Sequence, residues 1–246
     1  MHNLGETRSA RRVDHLLLTP DTFVRAPLPG MKKCAAIVHV GPAMGAAFTQ
    51  YTGEFEPGGE LGGTAAQRFL YVLEGGVKIE AKGKKSELGP RGYAFFPEGA
   101  AHRVTAGKAS RVAIVEKAYQ SVASAKPPGA IVSSEDEVSS HPLGDDPGLQ
   151  VKCLLPDEMS FDFAVNTMVY QPGAALSMVE MHVMEHGLLM LEGGGIYRLG
   201  DAWYPVTAGD FIWMGPWCPQ WFGAIGKTPS KYLIYKDWNR HPLPGK

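Results

Sequence analysis

The stretch EMHVMEH, residues 180 to 186, sets two carboxylates and two imidazoles among valine and methionine. Buried charge is costly unless it is paired or bound to a metal, so metal ligation is the first chemistry this spacing suggests. Two backbones could carry it. His182, Glu185 and His186 complete H-x-x-E-H, which on a long helix places two zinc-binding histidines one turn apart. On an extended strand, Glu180, His182 and His186 share parity and project to one face. Pro172 and Gly173 before the segment, and Gly193 to Gly195 after it, leave little room for such a helix. On a helix Glu180 and His182 would also diverge by about 200°. The spacing predicts a strand, with the three side chains turned into one barrel.

The surrounding runs agree. FLYVLEG, VKIEAKG, YAFFPEG and RVAIVEKAY follow one another with turn residues between them, and GIYRLG, WYPVTAGDFIWMG and KYLIYKDW do the same later. Short β-branched and aromatic runs punctuated by glycine and proline read as strands of a sandwich or barrel. No long stretch keeps a 3.6-residue period, so helices should be few.

The strands also repeat. FLYVLEGGVKIEAKG (69–83) resembles LLMLEGGGIYRLGDAW (188–203), and RGYAFFPEGAAH (91–102) resembles AGDFIWMGPWCPQ (208–220). Glu74 then matches Glu192 and His102 matches Gln220, both at an offset of 118. A period this long means two related domains rather than a solenoid. The expectation is all-β, two tandem jelly-roll barrels: an arm over 1–30, a first barrel over 31–120, a linker over 121–148 and a second barrel over 149–246. The same offset sets Glu180, His182 and His186 against Gly62, Thr64 and Arg68. The first barrel therefore lacks a metal set and is expected to supply core and oligomer contacts.

The chain as a whole sets outer bounds. Its 44% hydrophobic and 20% charged residues are ordinary for a globular protein, and a net charge of -1 gives no pull on nucleic acid or membrane. No apolar run approaches the roughly 20 residues a spanning helix needs. Three cysteines, Cys34, Cys153 and Cys218, argue for a reducing compartment, with the cytoplasm as the expected location. The N-terminal leucine run is too short for a secretory signal.

Pro97, Gly99 and His102 form P-x-G-x-x-H, which resembles the second motif of the cupin barrel, and two such halves make a bicupin. The usual cupin ligand set is H-x-H-x3-4-E with a later histidine; here Glu180, His182 and His186 are followed by Gln220. That substituted set resembles the (S)-ureidoglycine aminohydrolases, bicupin enzymes of allantoin degradation. The likeness extends through LLTPDTFVRAPLPG, GAAFTQY, FDF, QPGAALSMVEMHVMEHG, GGGIYRLGDAWYPVTAGDFIWMG and YLIYKDWNR. Two imidazoles, a carboxylate and a carboxamide suit several divalent ions; the resemblance implies Mn²⁺.

Tyr232 and Lys236 share parity in KYLIYKDW and so can both reach the barrel interior. A buried cation needs an anion, and an anionic small-molecule substrate would serve. In the family the matching positions contact substrate, alongside Glu180 and Gln220. The resemblance thus implies ammonia release from (S)-ureidoglycine, with Lys236 and Tyr232 as catalytic candidates, in a homo-oligomer. A quercetinase-type metal dioxygenase or a non-catalytic ligand-binding bicupin are the rival readings. Glu185, of opposite parity, is expected to face solvent or a subunit contact, Glu192 to sit in a turn, and Cys218 to line a pocket.

Overall fold

A computed structural model describes residues 6–240; residues 1–5 of the expected arm and 241–246 of the expected second barrel lie outside them. Twenty strands and three short 3₁₀ turns make up the described secondary structure, and all strand pairings are antiparallel. No described helix is long and apolar enough to cross a membrane. The chain divides into two compact units, Val24–Val138 and a second that joins the segment ending at Phe23 to the segment starting at Ser139.

In the first unit the long strand Thr49–Leu61 pairs along its first half with Ser110–Lys117 and at its end with His102–Ala106. Pro57 and Gly58, the latter at φ +79°, turn it between the two partners. Alternation puts Leu70, Val72, Ala94, Phe96, Val112 and Ile114 inside, a closed apolar core. The strand Ile131–Ser134 extends this sheet by pairing with Gly92–Phe96.

The second unit packs an eight-stranded sheet with a three-stranded one around one core. Neighbours in the larger sheet run Phe211–Met214, His186–Glu192, Ser230–Asp237, Phe163–Tyr170 and Asp146–Cys153. The smaller holds Gly194–Leu199 between Ala202–Thr207 and Gln220–Ala224. Leu188, Met190, Tyr170, Tyr232, Tyr197 and Phe222 point into the shared core. His15–Leu18 pairs with Phe211–Met214, and Leu17 is fully buried in this core. The N-terminal segment is thus hydrogen-bonded into the sheet of the second unit, and the 121–148 stretch divides between the units at Val138.

The repeat is visible in the turns. After Glu74 and Glu192, Gly75 and Gly193 take φ of +79° and +66°, which any side chain would strain. Just beyond, Ser110 Oγ accepts from Gly76 N and donates to Gly76 O, and Ser230 Oγ does the same with Gly194. Ser110 and Ser230 are 120 residues apart, so the register slips by two before the last strand of each barrel.

Candidate metal and active site

The strand carrying the second histidine begins only at His186. The continuous strand expected over 180–186 is therefore corrected: residues 181–185 are irregular, and Glu180 makes an isolated bridge to Gln220. The bridge is reciprocal, Glu180 N to Gln220 O at 2.8 Å and Gln220 N to Glu180 O at 2.9 Å, while His182 O accepts from Trp217 N at 2.8 Å. These backbone bonds hold an irregular loop against the strand Gln220–Ala224 and do the positioning that a strand would have done.

Three candidate ligands converge. His182 Nε2 lies 3.2 Å from His186 Nε2 and 2.8 Å from the Gln220 amide. Burial, with His182 and Lys236 nearby, pushes the His186 pKa down to about 3, so its imidazole is neutral and its lone pair free. Two imidazole nitrogens this close repel unless a proton or cation lies between them. Donors set about 2.0–2.1 Å from an octahedral ion stand about 3 Å apart, so the spacing fits a divalent ion. A carboxamide rotates to present oxygen in place of nitrogen. Glu180 lines the same cavity, and its charge is felt by Tyr197, Tyr232 and Lys236, though its carboxylate bonds to neither imidazole.

The cavity, about 240 Å³, is lined by these residues together with Tyr232 and Lys236. The register sets His186 directly beside Lys236 and Met190 beside Tyr232. Tyr232 is 2% exposed, and its hydroxyl lies 2.7 Å from that of Tyr170. Burial raises the pKa of both phenols, which stay protonated. Lys236 Nζ lies 4.0 Å from the Trp238 ring centroid, a cation–π contact. Burial lowers its pKa, while Cys153, Asp157 and Glu180 pull the other way.

Other sequence expectations fare unevenly. Glu185 does not face solvent: it is 2% exposed and accepts from Trp213 Nε1 at 3.0 Å. Parity cannot orient a residue on a segment that is not a strand. Glu192 ends its strand at an exposed turn, and Cys218 is a buried core thiol. Tyr197 was missed. It is 1% exposed, lines the cavity and donates toward Gln220 Oε1 at 3.4 Å. Its signal was a polar tip on the inward face of GIYRLG.

The matching place in the first barrel is already filled. The register there sets Arg68 beside Glu116 as it sets His186 beside Lys236 here. Arg68 is 3% exposed; its guanidinium bonds Glu116 at 2.7 and 2.8 Å, Gly62 O at 2.6 Å and His102 Nε2 at 2.8 Å. His102 Nδ1 donates to Ala100 O at 2.7 Å, leaving Nε2 as acceptor for the arginine. A fixed cation stands where an ion would. Elsewhere, Asp14, His15 and Cys218 bring potential ligand atoms within 4.8 Å of one another. Both His15 nitrogens are engaged there, by Asp14 at 2.8 Å and the Tyr204 hydroxyl at 2.9 Å, and burial pushes the Cys218 thiol up to about 11. This trio is held by its own hydrogen bonds and does not line the cavity.

Comparison with known proteins agrees with the two-barrel architecture. A EutQ-like cupin domain model matches residues 43–119 and a cupin domain model residues 166–235. The (S)-ureidoglycine aminohydrolase of Arabidopsis thaliana is 39% identical over 97% of this chain and 80% of its own. The (S)-ureidoglycine aminohydrolase of Escherichia coli is 32% identical over 91% and 88%. The crystal structure of E. coli protein Ylba superposes with a TM-score of 0.85 at 29% identity, covering 96% of each chain. At this identity and coverage, the chain belongs to the (S)-ureidoglycine aminohydrolase family of bicupins.

Proposed function

We propose that the protein hydrolyses (S)-ureidoglycine to (S)-ureidoglycolate and ammonia, using one divalent ion in the second barrel. Glu180, His182, His186 and Gln220 would hold the ion, and Mn²⁺ is the choice the family suggests. When bound, it supplies Lewis acidity toward the substrate and toward water. The observation that carries the reading is the cavity itself, where His182 lies 3.2 Å from His186 and 2.8 Å from Gln220, with a partly buried ammonium and a buried phenol in the same lining.

The reaction breaks the C–N bond to the amine and forms a C–O bond from water at the same carbon, so the departing amine must gain a proton. Lys236 pairs with the substrate carboxylate, and its amine can hand over or recover a proton. Tyr232, anchored through Tyr170, donates to the substrate and fixes its orientation. Tyr197 steadies Gln220. The apolar wall of Met168 and Ile234 limits bulk water.

Free Cys34, Cys153 and Cys218 fit a reducing, cytoplasmic setting. Exposed Met178, Met181 and Trp217 beside the ligand loop favour a homo-oligomer. The test of the activity is ammonia release from freshly generated ureidoglycine, before and after chelation and with Mn²⁺ restored. Release that is lost and recovered supports the reading. Release untouched by complete metal removal, or oxygen uptake in place of ammonia, contradicts it.

A further inference from the structure

Asn166 is the unexplained polar group of the cavity. It sits on the strand Phe163–Tyr170, in register with Ile234, between the positions beside Tyr232 and Lys236. It is 6% exposed and lines the cavity, and its Oδ1 is buried with no hydrogen-bond partner. On this wall Val151, Met168 and Ile234 are apolar, while Cys153 lies in register on its other side and Lys236 two residues along from Ile234. Leucine, of similar size, would fill the place without leaving a polar group unpaired, and an unmade buried hydrogen bond works against folding. Such a group is retained when a ligand completes it.

The cavity's other polar groups have the roles proposed above, and several are also bonded within the protein. Tyr170 and Tyr232 bond each other, Tyr197 reaches Gln220, and Trp238 Nε1 donates to Asp157. Resting on the activity proposed above, the substrate's carboxylate goes to Lys236 and the carbon that loses its amine lies toward the candidate ligands. Its remaining polar end is the carbamoyl group, –NH–CO–NH₂. A carboxamide offers one acceptor and two donors, and a carbamoyl group offers the complementary donors and acceptor. We propose that Asn166 recognises this carbamoyl end and sets the preference for a ureido acid over acids that lack it.

The experiment uses two unreactive analogues, N-carbamoylglycine and N-acetylglycine, which differ by an amino group against a methyl. Their binding to the metal-loaded protein is measured by calorimetry, alongside thermal unfolding of wild type, Asn166→Leu and Asn166→Ser. A site built to bond an N–H rejects the analogue lacking it, so wild type should favour the carbamoyl acid by about tenfold or more. Both variants should reduce that preference to about twofold or less. Asn166→Leu should also unfold at the same temperature or higher, which a structural asparagine would not allow. Equal binding of the two analogues by wild type, or a preference unchanged in both variants, overturns the assignment. Wild type that releases no ammonia from ureidoglycine would instead overturn the activity reading, and that assay is independent of the analogue preference.

Discussion

At the scale of single residues, the site is a set of neutral and charged groups whose roles separate by substitution. Gln220 is a neutral candidate ligand beside the carboxylate of Glu180, and it is held by Tyr197 and by the backbone bridge to Glu180. Gln220→His should keep the ion and lose most turnover, because an imidazole changes both geometry and electronics; metal analysis with steady-state kinetics checks this. Lys236→Met keeps most of the stem volume and removes the charge. We expect normal folding and metal content with kcat/KM down about 10- to 150-fold, about 1.4–3 kcal/mol for a charge-assisted bond. A loss confined to KM would assign Lys236 to anchoring the carboxylate, and a fall in kcat to proton transfer as well. The four candidate ligands were legible because their types and spacing are unusual. Glu185 was not, because its partner Trp213 lies 28 residues further on and no local pattern announces it.

At the scale of elements, the strands were legible and the ligand loop was not. Alternation put Tyr232 and Lys236 on the inward face of Ser230–Asp237, and the glycine runs marked the turns between strands. The irregular residues 181–185 give no such signal, since their shape is set by flanking bonds to Trp217, in a turn, and to Gln220, at the start of the strand that follows it. Likewise His15–Leu18 is a short apolar run whose partner strand, Phe211–Met214, lies nearly two hundred residues away. One glycine tests how tightly the elements are coupled. A Cβ on Gly195 would stand 2.1 Å from Gly223 O, on the strand that begins with Gln220. Gly195→Ala should therefore destabilise the protein by about 1–3 kcal/mol through overpacking and weaken metal binding through Gln220. Urea unfolding and a metal titration read the two effects; stability lost with metal affinity unchanged would uncouple the strand from the site.

At the scale of the molecule, two related barrels have come to hold different cations, a guanidinium in one and a candidate ion site in the other. The first barrel also carries an acid-sensitive group. His39 is 1% exposed, bonded through Nε2 to Thr52 Oγ1 at 2.8 Å, and burial pushes its pKa down to about 3. The unfolded chain binds that proton near pH 6.5. The stabilisation is therefore complete above about pH 6.5 and is lost as the pH falls toward about 3. His39→Gln should flatten the fall in unfolding free energy over that window, as followed by denaturant titration at several pH values.

The central claim is that one ion, in the second barrel alone, supports ammonia release. Metal content per chain, measured for wild type, His186→Ala and His102→Ala and compared with their activity, tests it most directly. We expect one ion per chain in wild type and in His102→Ala, with activity largely retained, and neither ion nor activity in His186→Ala. Two ions per chain, or a His186→Ala protein that keeps its metal and its turnover, would contradict the account.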